Sequence, residues 1–161
     1  LSGAEQPEGD VHSWNAEHIF DGQHDRDTAK TLFFKWLYNP ESDIIKTDYY
    51  DRKKVLDKFY DGGYINTPYK RKILVDERKA LNYLIQSTTS DRVLSRAVEI
   101  DRLLKGRQSF ISHIVHDEIV IDFTDDERSL IIDIKKIFEQ DNFKANINAG
   151  KNYFDFEELK L

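Results

Sequence analysis

Three groups of residues in this chain have types and spacings that could do chemistry. The first is His116-Asp117-Glu118, the joint between two runs rich in β-branched and aromatic residues across 110–123. Such runs favour strands. The usual two-residue hairpin signals, Asn-Gly or Asp-Gly, are absent, and three ionisable side chains are unusual for a mere turn. Adjacent carboxylates on a rigid hairpin suit a hard divalent cation such as Mg2+; an exposed acidic turn is the plainer alternative. The second group is Arg26, Lys30, Phe34 and Tyr38. On an α-helix, steps of four place side chains on nearly one face. Cations near a helix N-terminus oppose the macrodipole, so helix stability does not explain them. They would reinforce an anion site made by the free backbone N–H groups. A phosphate chain could lie along Arg26 and Lys30, and a sugar and base on Phe34 and Tyr38. That is the layout for a nucleoside triphosphate, set against a core-facing aromatic pair beside surface cations. The third group, Arg78, Asn82 and Gln86, repeats the same step. It could hydrogen-bond to the minor groove of a duplex, or simply form a solvated face.

Helices and strands must position these groups. Asp10 can cap a helix over 11–20, and Asp25 a second over 26–38 that ends at Asn39-Pro40. Thr47 or Asp48 would start a third through Tyr60, stopped by Asp61-Gly62-Gly63. A short hairpin of Tyr64–Asn66 and Lys72–Leu74 surrounds Pro68. A long helix over about 76–104 follows, with Leu81, Leu84, Ile85, Ala97, Ile100, Leu103 and Leu104 as its apolar stripe and Gly106 as its stop. After the acidic hairpin, Thr124 or Asp125 caps a last helix with Leu130, Ile131, Ile134, Ile137 and Phe138 on one buried face. A closing strand over 144–148 completes an α+β fold: one small antiparallel sheet with packed helices.

Bulk properties narrow the function classes. The 161 residues suffice for a real core. A net charge of −6 argues weakly against a nucleic-acid binder, but the acidity is local. Residues 117–141 carry nine acids against three bases, the whole excess, whereas 46–79 lean basic. A neutral average can hide a phosphate-facing patch. There is no cysteine, hence no disulfide framework or thiolate metal site, and a reducing cytosol fits. No apolar run approaches a membrane span. Methionine is absent even from position 1, which points to a piece of a longer chain or a processed product. A metal hydrolase built on His113, His116 and Asp117 lacks a full ligand set, since His12, His18 and His24 sit in no convincing partner motif.

Taken in order, the segments resemble the C-terminal part of a family A DNA polymerase, the group of bacterial polymerase I and several phage replicases. Leu1-Ser2-Gly3 followed by Gly9-Asp10-Val11-His12 resembles the stretch just after the family's first catalytic motif. Arg26-Asp27-Thr28-Ala29-Lys30 through Phe34 and Tyr38 resembles the fingers helix, and Arg78 through Ser87 the long palm helix. Val115-His116-Asp117-Glu118 resembles the last catalytic motif, and Ala149-Gly150-Lys151-Asn152-Tyr153 the family's C-terminal end. The matches are collinear over almost the whole chain.

The resemblance implies a DNA-directed DNA polymerase part that adds dNTPs to a primer 3′ end. Asp117 would be a ligand of two catalytic Mg2+ ions, with Glu118 an auxiliary carboxylate and His116 near the primer end. Arg26 and Lys30 would hold the triphosphate, Lys30 also protonating the leaving pyrophosphate, and His12 would contact the same phosphates. Phe34 would lie under the deoxyribose, which implies poor acceptance of dideoxynucleotides, and Tyr38 would stack near the templating base. Arg78, Asn82 and Gln86 would touch the primer–template DNA. The domains would be a palm-to-fingers entry (1–24), reduced fingers (25–62) and the C-terminal palm (63–161). Departures matter as well. The first metal-binding aspartate and the thumb are missing, and Lys35 and Asn39 replace usual glycines. The expectation is a chain inactive alone, completed by a second polypeptide or an upstream part, working in the cytoplasm without membrane contact. If phage-encoded, that cytoplasm is the bacterial host's. The alternative is a catalytically inactive polymerase-like module that binds DNA or partners.

Overall fold

The computed structural model describes residues 1, 5, 7–47 and 49–160, with Asn142 described in its backbone only. Ser2 and Gly3 of the opening segment, and Asp48 as a candidate helix start, lie outside the described residues. The fold is mixed α+β, with five helices and three small antiparallel sheets among the described residues. It divides into two compact units, Leu1–Thr88 and Thr89–Leu161. The boundary falls inside the long helix; the expected divisions at 24/25 and 62/63 both lie within the first unit.

In the first unit, α1 (Val11–His18) and α2 (Arg26–Tyr38) start where their caps dictate. The Asp10 carboxylate accepts from Ser13 N, and that of Asp25 from Thr28 N. Ala29 and Trp36 are the buried positions of α2, with Leu32, Phe33 and Leu37 half-buried beside them. They pack with Ala16, Phe20 and Ile45. This inner stripe leaves 26, 30, 34 and 38 on the flank of the helix.

The third helix begins later than expected. Asp51 caps α3 (Arg52–Phe59) through Lys54 N. The preceding tyrosines are used elsewhere: Tyr49 lies against Trp14, and Tyr50 against Phe33 while donating to the Asn15 side chain at 2.7 Å. Packing of these rings overrides the local helix signal. Arg52 itself turns back to close α2. Its guanidinium donates to the carbonyls of Trp36 (2.7 Å), Asn39 (2.8 Å), Pro40 (3.3 Å) and Ser42 (2.7 Å), and lies 4.6 Å over the Trp36 ring. Burial pushes its pKa down from the ordinary arginine value.

The chain then forms a three-stranded sheet, β1 (Tyr60–Asp61), β2 (Tyr64–Asn66) and β3 (Lys72–Leu74). The strand β1 was not expected. Gly62 and Gly63, read as a helix stop, instead make its two-residue turn with φ of +56° and +87°. Both positions need the left-handed region, which glycine reaches without strain. The sheet and α3 share a core of Val55, Ile65, Val75, Ala80, Leu81 and Leu84. The last three come from α4 (Glu77–Leu104), where Asp76 accepts from Arg78 N at the start.

In the second unit, the rest of α4 buries Val93, Ala97, Ile100 and Leu104. The hairpin β4 (Phe110–Val115) and β5 (Glu118–Asp122) forms as expected, but it stands as a separate two-stranded sheet. One continuous sheet is therefore corrected to three. A bulge at Ser112 gives β4 one extra residue. Because of it, Ile111 and Ile114 share a face with Ile119 and Ile121, while His113 and Val115 share the other with Glu118 and Val120.

Two further expectations are corrected. The last helix, α5 (Leu130–Phe138), is not capped by Thr124 or Asp125. Thr124 N is held by the Ser109 hydroxyl, and Asp125–Glu127 winds into a 3-10 turn first. Its apolar face is only half-buried, and Ile132 is 53% exposed. The closing strand over 144–148 shrinks to β6 (Asn148–Ala149), paired with β7 (Glu157–Glu158). Upstream, Ala145 N is bonded to the Glu139 carboxylate instead of a strand partner.

Replacing Arg52 by Ala is expected to lower unfolding stability by about 2 kcal/mol or more, the scale for losing hydrogen bonds to a charged donor. Arg52→Lys should recover little of this, because one ammonium cannot span four carbonyls. Urea unfolding of both variants checks the claim.

Candidate functional site

The outward flank of α2 carries the first group. Lys30 is exposed, Phe34 half-buried and Tyr38 47% exposed. The rings of Phe34 and Tyr38 are stacked, 5.8 Å apart and 5° from parallel. The buried residues of α2 are Ala29 and Trp36, and Phe34 also touches Phe33 edge-on at 5.9 Å. His12, from α1, joins the row with its ring 5.8 Å from Phe34. The structure thus brings together His12, Arg26, Lys30, Phe34 and Tyr38.

Arg26, however, is not an idle cation. It grips both oxygens of Asp10 (3.0 and 3.1 Å) and also bonds Asp27 at 2.8 Å. The Arg26 guanidinium, with Ser13 N, holds the Asp10 carboxyl well below the usual carboxylate range, and Asp10 in turn raises the Arg26 pKa. The cap role of Asp10 was legible in the sequence; its pairing with a residue 16 positions away was not. His12 has a buried Nδ1 without a hydrogen-bond partner. Burial is the main cause holding its pKa below 6.5; Lys30 and Arg26 push the same way and Asp10 opposes them.

The second group lies at the hairpin tip. His116-Asp117 forms a two-residue turn after all, closed by the Val115–Glu118 pair. His116 takes φ +53°, the positive value that primed hairpin turns need at their first position. His116, Asp117 and Glu118 are all exposed. Tyr153 reaches this tip, its hydroxyl donating to Glu118 Oε2 at 3.0 Å. That bond, and the nearby Glu118 charge, raise the Tyr153 pKa. Among the described residues, no group of three or more His, Asp or Glu side chains is placed to hold a metal ion.

The third group runs along the first half of α4. Arg78 is paired with Glu41 at 2.6 Å, Asn82 has a buried Oδ1 without a partner, and Gln86 is exposed. Glu41 and Tyr153 were not singled out as site partners, since nothing local in the sequence marks a contact between distant segments. The chain matches no protein-family model, no curated protein and no solved structure.

Because the unfolded chain binds more protons than the folded one below about pH 6.5, His12 should make stability fall on acidification through that range. An NMR titration should place its midpoint below 6.5, and the fall in urea stability between pH 7.5 and 5.5 should shrink in His12→Gln. Asp10→Asn should keep the helix cap but release Arg26. Calorimetry with inorganic triphosphate should then show severalfold tighter binding, because the guanidinium no longer has Asp10 as a competing counterion.

Proposed function

We propose that this chain is the fingers and palm part of a family A-like DNA-directed DNA polymerase, with the first catalytic aspartate and the thumb supplied by a second polypeptide or an upstream part. The observation that carries the reading is the outward row on α2. Two cations lie at the anion-binding end of the helix, followed by a parallel aromatic pair. The same chain carries, further on, a hairpin tipped by adjacent carboxylates.

Phosphoryl transfer asks little covalent chemistry of the protein and much positioned charge. Lys30 would neutralise the triphosphate and give its Nζ proton to the leaving pyrophosphate. Arg26 would hold the same phosphates after exchanging Asp10 for them, and His12 would donate from its ring. Phe34 would support the deoxyribose and Tyr38 the templating base. Arg78, Asn82 and Gln86 would follow the minor groove of the primer–template, and His116 would stand by the primer end. Asp117 and Glu118 are adjacent, exposed oxygen donors, and Mg2+ is commonly held by one or two carboxylates plus substrate phosphates; the pair fits that ion. Two bound Mg2+ ions would supply Lewis-acid stabilisation of the attacking and leaving oxygens. Among the described residues no helix is long and apolar enough to cross a membrane; the reading itself places the protein with the DNA in the cytoplasm.

A second reading has its own support. Arg26 and Arg78 are both engaged by carboxylates, of Asp10 and Glu41. That suits a catalytically inactive module that only binds DNA or a partner.

Primer extension separates the two. These 161 residues alone should extend no primer, and supplying the second polypeptide or upstream part that carries the first aspartate and the thumb should yield Mg2+-dependent synthesis. Asp117→Ala should then cost at least about 10²-fold, and Lys30→Ala a comparable factor. Synthesis indifferent to Asp117→Ala would overturn the polymerase reading.

A further inference from the structure

The segment 147–159 is closed tightly on itself. After β6, Gly150 passes so close to the bend before β7 that an added Cβ would sit 2.5 Å from the Asp155 carbonyl oxygen. Only glycine fits such an approach. The Asn152 side chain accepts from Phe154 N at 2.9 Å and bonds the Asp155 carboxylate. Leu159 N then donates to Ile147 O at 2.7 Å, which ties the segment shut. This small loop holds the Tyr153 side chain against the hairpin. Its ring is 5.3 Å from Phe156 in an edge-to-face contact and 6.0 Å from His113. Its hydroxyl donates to Glu118 Oε2. The Ser112 bulge is what places His113 on the same strand face as Glu118, so ring and carboxylate meet one partner.

We propose that Tyr153 is a positioning residue: it fixes the Glu118 carboxylate at the hairpin tip so that one oxygen is engaged and the other stays available, beside Asp117, for a hard divalent cation. The inference rests on the proposed role of Asp117 and Glu118 as oxygen donors and adds a residue to it. A long, exposed glutamate samples many rotamers, and ordering it costs entropy at the moment of binding. A hydrogen bond from a rigid phenol, itself held by ring contacts, meets that cost in advance. Such outer partners orient ligating carboxylates and typically change metal affinity 10- to 100-fold. Asp117 is left as the direct ligand, since it occupies the turn itself.

Mn2+ alone, added to the full chain, is the probe. With tyrosine labelled at 13Cζ, the chain gives eight signals, and the one lost in Tyr153→Phe identifies Tyr153. Mn2+ should broaden that signal first, and Asp117→Ala should abolish the effect. By electron paramagnetic resonance, Tyr153→Phe should weaken Mn2+ binding about 10-fold with an unchanged melting temperature, and should add nothing in a Glu118→Ala background. Equal affinity in the chain and Tyr153→Phe, or additive losses in the double variant, would overturn the proposal and leave the cation site standing. A Tyr153 signal that stays sharp at every Mn2+ concentration would overturn the proposal together with the assignment of Asp117 and Glu118.

Discussion

The guanidinium of Arg52 closes the carbonyl end of α2, and the geometry of the outward row on that helix follows from that closure. A helix leaves its last carbonyls without partners, and here proline forbids continuation beyond Asn39. One planar fork satisfies four oxygens on four different residues while its face lies on Trp36. Trp36 is in turn the deepest large side chain of the α2 stripe. With that stripe anchored inward, the row at 26, 30, 34 and 38 has no option but the flank. Charge, stacking and exposure along the row are consequences of where the tryptophan is held.

What the sequence revealed, and what it hid, divides by range. The bounds of α2 were legible because both signals are local: an Asp25 cap at one end and Asn39-Pro40 at the other. The acidic hairpin was legible for the same reason, from composition and alternation. The pairing of Arg26 with Asp10, of Arg78 with Glu41, and of Tyr153 with Glu118 was not, since each spans 16 residues or more. Gly62-Gly63 was recognised as a break but not as a hairpin turn, because the strand it creates, β1, has only two residues. The segment 143–147 alternates half-buried and exposed like a strand, yet among the described residues strand pairing begins only at Asn148, and alternation alone does not supply a pairing strand.

Electrostatics separates the members of the cationic row. Arg26 carries its own counterion, whereas Lys30 stands exposed one turn further along. An anion arriving at α2 would meet an exposed ammonium and a guanidinium already paired with carboxylates. The hairpin shows a parallel division of labour: Glu118 has a hydrogen-bond donor from another segment, while Asp117 sits in the turn itself. In each pair one group is held and its neighbour is left responsive, which is how a site can be both shaped and adaptable.

The extra residue in β4 has a genetic corollary. Because Ile111 pairs with Ile121 and His113 already pairs with Val120, excising Ser112 would leave every other partnership intact and only relax the local coiling of the ribbon. Loss of Ile114 or Val115 would instead draw the bulge into register and carry His113 onto the isoleucine side. The serine beside His113 is therefore a residue the hairpin can lose without exchanging its faces.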